Sequence, residues 1–181
     1  MSTRLGAAGE QPIMKARIKW IEGVSFVAES GSGHAMVIDG SPDHGGRNLG
    51  MRPMEALLAG LGSCSAFDVV AILRKSRQDV TSCHVELDAE RADAVPAVFT
   101  RIHMHYVIRG RNIKSAAVQR AVKLSVETYC SATAMLKSQV AISHDWEIEE
   151  EPAPKQVPAE QASAAASTHD EKIARALPST E

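Results

Sequence analysis

Short stretches of alternating hydrophobic and polar residues mark the amino-terminal part of the chain. Residues 15–22 (KARIKWIE) and 24–30 (VSFVAES) have this period of two, and so does the shorter run 34–40 (HAMVIDG). Side chains of a β-strand point alternately to its two faces, so this period is typical of strands with one buried face. Glycines separate the three runs. The pattern therefore predicts a meander of three antiparallel strands.

The same alternation returns in the second half of the chain. Residues 83–91 and 100–110 alternate, joined by the turn-prone ADAVPAVF, and residues 140–150 form a last strand-like run. The run 100–110 places Arg101, His103 and His105 on one face. Its other face is hydrophobic and consists of Ile102, Met104, Tyr106 and Ile108. This predicts strands that cover a core with one face only.

Two longer stretches have apolar residues at helical spacing, 53–77 and 113–138. Pro53 suits the first position of a helix, where its missing N–H is no loss. Gly60 and Gly62 each weaken a helix by about 1 kcal/mol relative to alanine. They are tolerable where another backbone must approach closely or where the helix bends. The predicted order is βββ-α-ββ-α-β, an α+β fold.

The segments outside residues 15–150 have a different character. Residues 1–14 are small, polar and unpatterned, and residues 151–181 are rich in proline, alanine and glutamate. Such sequences bury too little apolar surface to fold alone. We expect one domain at 15–150 with a disordered segment on either side.

Composition narrows the possible functions. The net charge is −2, which gives no electrostatic basis for a nucleic-acid partner. We find neither a run of about 18–20 apolar residues nor a secretory leader, so we expect a cytoplasmic protein without a membrane segment. The three cysteines, Cys64, Cys83 and Cys130, show no metal-ligand spacing. In a reducing compartment they are more often free or redox-active than structural disulfides.

Cys64 and Cys130 each lie within one of the two helical stretches. If the helices pack together, the two thiols could come within disulfide distance, but two unrelated core cysteines explain the spacing equally well. Neither is predicted at a helix N-terminus, so a cation is needed to stabilise a thiolate. Cys83 is interpreted as a core or edge thiol at the start of a strand.

Other candidate residues carry two interpretations each. Glu55 lies nine residues before Cys64 and projects from the opposite side of a straight helix. It either serves the helix dipole or meets a thiol across a dimer interface. His103 and His105 share a strand face as two zinc ligands might, but no further ligand has matching spacing. A polar strand face explains them better.

The segments RPMEALLAGLGSCSAFDVVAIL and ETYCSATAML together resemble the OsmC/Ohr family of peroxide-handling proteins, closest to its YhfA-like branch. The similarity runs from about Lys15 to Glu149. It implies an intertwined homodimer in which two long central helices are wrapped by antiparallel sheets. By the same resemblance, Cys64 is the peroxidatic cysteine and Cys130 the resolving one.

The resemblance implies a thiol-dependent peroxidase that acts on organic or hydrogen peroxide, is reduced by an external thiol, and uses neither metal nor organic cofactor. Organic-hydroperoxide members place a glutamate directly after the proline and use an arginine from an amino-terminal strand. Here Met54 follows the proline, Glu55 is the nearby acid and Arg17 is the candidate arginine. The alternative is a non-enzymatic redox-sensing or ligand-binding dimer.

Overall fold

A computed structural model of the protein describes residues 13–152. The disorder predicted for residues 1–14 and 151–181 concerns segments that lie almost wholly outside the described residues, and it stays a prediction. Within 13–152 the strands and helices follow one another in the predicted α+β order, with differences in the second helix and in the last strand.

The three predicted amino-terminal strands form one antiparallel sheet: β1 (Ala16–Glu22), β2 (Ser25–Ser30) and β3 (Ala35–Ile38). Gly23 turns the chain between β1 and β2 with a φ of 52°, a conformation that favours glycine. Every residue of β1 is exposed to solvent in the single chain. This sheet makes its extensive contacts among its own strands.

The buried carboxylate of Asp39 organises the loop that follows β3. It accepts hydrogen bonds from the Ser25 hydroxyl and from the backbone N–H groups of Gly40, Arg47 and Leu49. These donors, led by the Leu49 N–H, hold the pKa of Asp39 far below its usual value. The loop thereby delivers the chain to the first helix, α1 (Pro53–Lys75).

A second sheet contains the long strands β4 (Asp79–Arg91) and β5 (Phe99–Arg111) and the last strand, β6 (Ala141–Glu150). β4 and β5 pair antiparallel, whereas β6 pairs parallel to β5. The prediction of purely antiparallel sheets is therefore wrong for β6. The chain leaves β5 and returns through helices to the same end of the sheet, and such a crossover makes neighbouring strands parallel.

The predicted faces of β5 are confirmed. Its hydrophobic side chains are buried at the centre of the core, and its Arg101, His103 and His105 lie on the outer face. The helices cover the inner face of the sheet. The core consists mainly of α1, β5 and second-helix residues, among them Leu61, Val69, Leu73, Ile102, Met104, Tyr106, Ile108, Val118, Val122 and Cys130.

The second helical stretch is not one helix, as its periodicity predicted. It begins as α2 (Ser115–Leu124), widens into a π turn at Ser125–Tyr129, and resumes as α3 (Ser131–Leu136). In the π turn the Cys130 N–H donates to the Ser125 carbonyl, five residues earlier, over 2.9 Å. Cys130 itself has extended backbone angles. The break places Cys130 at the start of α3.

The two glycines of α1 have different surroundings. A Cβ on Gly62 would lie 2.6 Å from Leu87 Cδ1 of β4, so this glycine lets the helix approach its own sheet. A Cβ on Gly60 would meet nothing within 4 Å. α1 is continuous through both positions, so they do not break it. The close neighbour of Gly62 is a side chain of the protein's own sheet, so the expected approach of another backbone stays a prediction.

By its length and composition alone, α1 is long and apolar enough to span a membrane, with a mean hydropathy of 1.9 over its most apolar 18 residues. The expectation of no such run is therefore wrong. However, α1 packs against β4, α2 and α3 and buries Leu61, Val69 and Leu73. These contacts are those of the central helix of a folded domain. Only 28% of the most apolar 18 residues of α1 are buried, which leaves a large apolar face of the helix uncovered.

Candidate active site

The two predicted redox cysteines are neighbours in the structure. Cys64 lies near the middle of α1, half-buried and packed against the core. Cys130 is 2% exposed and follows the π turn. Burial raises the pKa of Cys130, the hydroxyl and backbone N–H of Thr133 lower it, and the adjacent Cys64 thiol raises it further. Both cysteines are free thiols, positioned beside each other from different helices.

Cys130 is the N-cap residue of α3, which contradicts the expectation that neither cysteine lies at a helix N-terminus. Its sulfur accepts a hydrogen bond from the Thr133 N–H over 3.4 Å. An uninterrupted helix would have used that donor within its own hydrogen-bond ladder. The π turn therefore frees a backbone donor for the thiol.

A cluster of buried hydroxyls joins α1, β5 and the π turn beside the thiols. Ser65 Oγ lies 2.6 Å from the Tyr106 hydroxyl and 2.7 Å from Ser125 Oγ. Ser125 Oγ also lies 3.1 Å from the Ser65 carbonyl oxygen and 3.4 Å from an Asp68 carboxylate oxygen. Desolvation raises the pKa of Tyr106 to about 12. Ser65 follows Cys64 in the chain, and the backbone carbonyl of Ser125 accepts from the Cys130 N–H. The hydroxyl cluster therefore joins the two segments of backbone that carry the cysteines.

Glu55 does not reach the thiols within the chain. Its carboxylate accepts from the Arg52 backbone N–H over 3.0 Å and from the Arg52 guanidinium over 2.6 Å. The backbone bond first, then the guanidinium, lower the pKa of Glu55. These contacts match the interpretation of Glu55 as a group that serves the start of α1.

Arg17 lies on the fully exposed strand β1, where its guanidinium pairs with Glu29 of β2 over 2.6 Å. Within residues 13–152, no lysine or arginine side chain hydrogen-bonds to Cys64 or Cys130. One chain alone therefore brings the two thiols together without the cation that was predicted to stabilise them.

The third cysteine, Cys83, is the fifth residue of β4 and does not open the strand as predicted. It packs against the core, and burial raises the pKa of its thiol. These are the properties of an unreactive core cysteine.

His103 and His105 remain a polar strand face. Asp145 of β6 lies 3.4 Å from His103 Nε2 and 2.5 Å from His105 Nδ1. No group of three or more side chains among residues 13–152 has the arrangement of a metal site.

Several cavities border α1, and two of them lie beside candidate residues. One, of about 800 Å³, lies at its N-terminal end, with Leu58, Leu87 and Phe99 among its apolar walls and Arg52 and Glu55 at its polar side. The other, of about 680 Å³, is a groove between α1 and α2. Phe67 and Tyr129 line that groove, and each lies within three residues of one of the two thiols in sequence.

Comparison with known proteins identifies the family. The family described as OsmC-like protein matches residues 44–145, more than half of the chain. Protein YhfA of Escherichia coli K12 is 47% identical over 135 residues, which cover 75% of this chain and 98% of that protein. The chain belongs to the OsmC family. Within it, the chain is a YhfA-like member, as the sequence predicted.

Solved structures agree with this assignment of the OsmC fold. A hypothetical protein from Aquifex aeolicus aligns with a TM-score of 0.69 and 30% identity, over 78% of this chain and all of that one. An organic hydroperoxide resistance protein OsmC from Legionella pneumophila aligns with a TM-score of 0.60 and 12% identity, over 77% and 99% of the two chains. The predicted α+β, OsmC-like fold is confirmed.

Sequence reasoning missed four residues of the OsmC-like site: Thr133, Ser65, Ser125 and Tyr106. The hydroxyl cluster left no signal, because its members are far apart in sequence and serine is common in helices. Thr133 left one. The Cys-Ser-Ala-Thr spacing resembles a helix start, with a capping residue followed by a polar residue three positions later.

Proposed function

We propose that this protein is a cysteine-based, thiol-dependent peroxidase that reduces organic or hydrogen peroxides in the cytoplasm. The observation that carries the proposal is the juxtaposition of Cys64 and Cys130, free and adjacent, from two different helices. Two similarities support it: the YhfA-like membership, and the fold shared with the organic hydroperoxide resistance protein of Legionella pneumophila.

The chemistry needs only the two thiols and an external reductant. The Cys64 thiolate attacks one peroxide oxygen, the O–O bond breaks, and the alcohol or water leaves with a proton. Cys64 becomes a sulfenic acid. The Cys130 sulfur then attacks the Cys64 sulfur, forming a disulfide and releasing water. An external thiol reduces the disulfide by exchange.

The site is proposed to be completed by a second copy of the chain. The outer face of α1 exposes Leu57 and Phe67, and α3 exposes Met135 at 79%. The sheet β1–β3 exposes Ile18 and Trp20 and lacks a core of its own. In such a homodimer, Arg17 or Glu55 of one copy would be free to approach the thiols of the other.

A second candidate is a redox-sensing or ligand-binding dimer with little peroxidase activity. It is favoured by the ion pairs that occupy Arg17 and Glu55, and by the raised pKa of Cys130. A thiol without a cation reacts slowly, because only its thiolate is nucleophilic.

Thiol titration after one equivalent of tert-butyl hydroperoxide separates the two functions. A peroxidase loses two thiols per chain within seconds to minutes, and dithiothreitol restores them. Cys64→Ser abolishes peroxide consumption, whereas Cys130→Ser leaves a sulfenic acid on Cys64 that a dimedone probe traps.

Cys83→Ser is the matched control, because Cys83 is a half-buried thiol outside the pair. This variant keeps the peroxide consumption of the unmodified protein. Three titratable thiols after prolonged incubation with peroxide would exclude the peroxidase and leave the sensing or binding dimer.

A further inference from the structure

Thr133 has a buried hydroxyl without a conventional partner. The residue is 1% exposed, and its Oγ1 forms no hydrogen bond of regular geometry within the described residues. Buried hydroxyls almost always have partners, so an exception in a packed core requires an explanation. A valine would fill the same space without burying a hydroxyl.

The position of Thr133 relates it to one reactive atom. It is the third residue after Cys130, at the start of α3, and its backbone N–H donates to the Cys130 sulfur over 3.4 Å. Its N–H and its hydroxyl both lower the pKa of Cys130, against the effect of burial. Hydrogen bonds to an ionised group are stronger than those to its neutral form.

We propose that Thr133 stabilises the thiolate of Cys130, with its backbone N–H and its hydroxyl as the two donors. In this proposal the hydroxyl, which is unpartnered in the structure, turns to the Cys130 sulfur when that sulfur is ionised. Within residues 13–152 no lysine or arginine bonds to Cys130. In this proposal the two donors of Thr133 therefore take the place of a cation in stabilising the thiolate.

The consequence for the reaction lies in its second half, and this part rests on the proposed function. The Cys130 thiolate attacks the sulfur of the Cys64 sulfenic acid, so that an S–S bond forms and the S–O bond breaks. The leaving hydroxide takes up the proton that Cys130 gave up and departs as water. Cys130 is oxidised and the sulfenic sulfur of Cys64 is reduced.

Other titratable groups lie close to Cys130, so a titration must distinguish the ionisation of its thiol from theirs. Cys64 approaches from α1 and Tyr106 from β5, while Asp68 of α1 and Cys83 of β4 act on Tyr106. A protein with Cys64→Ser and Cys83→Ser has Cys130 as its single thiol. Its thiolate absorbance in the ultraviolet, followed between pH 6 and 11 in the intact protein, is the readout.

In this background, Thr133→Val is expected to lower the thiolate fraction at a given pH by about tenfold, one unit of pKa. Thr133→Ser keeps the hydroxyl and is expected to titrate close to the parent. Thr133→Val should be at least as resistant to heat as the parent, because it removes a partnerless hydroxyl. If Val and Ser variants titrate alike, Thr133 is a packing residue and the proposal is wrong.

Thr133→Ala provides the same comparison with Thr133→Ser if the valine variant does not fold. A second arm uses the three native cysteines in a single turnover with peroxide. Thr133→Val should slow disulfide formation about tenfold without changing the rate of Cys64 oxidation. If peroxide leaves Cys64 unoxidised, the peroxidase proposal fails, while the titration still decides the role of Thr133.

Discussion

At the scale of single residues, several charged side chains among residues 13–152 are paired with a neighbouring side chain. Glu55 bonds to Arg52, Arg17 pairs with Glu29, and His105 bonds to Asp145 across β5 and β6. The hydrogen bond that the His105 ring donates to the Asp145 carboxylate is the main reason why the pKa of His105 is raised, and it lowers the pKa of Asp145 in turn. The two cross-strand pairs, Arg17–Glu29 and His105–Asp145, are invisible to sequence reasoning, because strand register decides them.

The His105–Asp145 pair predicts a pH dependence of stability. Since the folded protein holds the His105 proton more tightly than the unfolded chain, this contribution is complete below about pH 6.5. It is lost as the pH rises through the higher folded pKa. Asp145→Asn should lower the pKa of His105 in a proton NMR titration. Glu147→Gln is the control and should lower it less, as Glu147 lies 3.8 Å away. Equal shifts would contradict the assigned pairing.

At the scale of elements, the sequence predicted the strands, α1 and the faces of β5, because periodicity records burial directly. Ile102, Met104 and Tyr106 alternate with exposed residues and are fully buried. The break at Cys130 was missed because apolar residues continue at helical spacing through the π turn. The parallel pairing of β6 was missed because a strand's sequence does not encode the direction of its neighbour.

We expect the hydroxyl cluster of Ser65, Tyr106 and Ser125 to stabilise the π turn. Ser125→Ala removes the hydroxyl that bonds Ser65 and should lower the free energy of unfolding by about 1–3 kcal/mol, as buried partners are left unsatisfied. Urea unfolding measures this change. Ser138→Ala, in the loop between α3 and β6, is an exposed serine control expected to change stability little. A change at Ser125 no larger than at Ser138 would contradict the structural role of the cluster.

The two glycines of α1 provide a matched pair of substitutions. Both gain helix propensity on replacement by alanine, about 1 kcal/mol each. Gly62→Ala also places a Cβ 2.6 Å from Leu87 Cδ1, the end of a flexible side chain that has to shift, so the strain costs about 1 kcal/mol, the low end of the range for overpacking. Gly62→Ala should therefore be less stable than Gly60→Ala by that amount in thermal and urea unfolding. Variants of equal stability would mean that α1 and β4 are not in close contact at Gly62.

At the scale of the whole molecule, residues 13–152 leave a large apolar surface uncovered, as the proposed dimer requires. Phe67 is 76% exposed, Met135 is 79% exposed, and β1 is exposed along its length. Large contiguous apolar patches mark interaction sites. The resemblance to the OsmC family predicts an intertwined dimer, and sequence patterning alone could not, because it does not distinguish a core from an interface.

Phe67→Arg should weaken this dimer by at least tenfold in dissociation constant, since a charge would replace an aromatic side chain at the proposed interface. Light scattering over a dilution series measures the effect. Val95→Arg is the control: Val95 is fully exposed in the β4–β5 turn and lines neither of the two cavities described beside α1. A monomeric parent protein, or equal behaviour of the two variants, would contradict the dimer.

Cys64 and Cys130 are 66 positions apart, and the chain between them includes β4, β5 and α2. A disulfide between them would close nearly half of the domain into a ring. A ring of this size restricts the unfolded chain enough to stabilise the fold by about 4 kcal/mol in the chain-entropy model. Treatment with peroxide would then make the protein more resistant to heat. The oxidised protein would melt at a higher temperature than the reduced one, and reduction of the disulfide by a thiol would remove this difference.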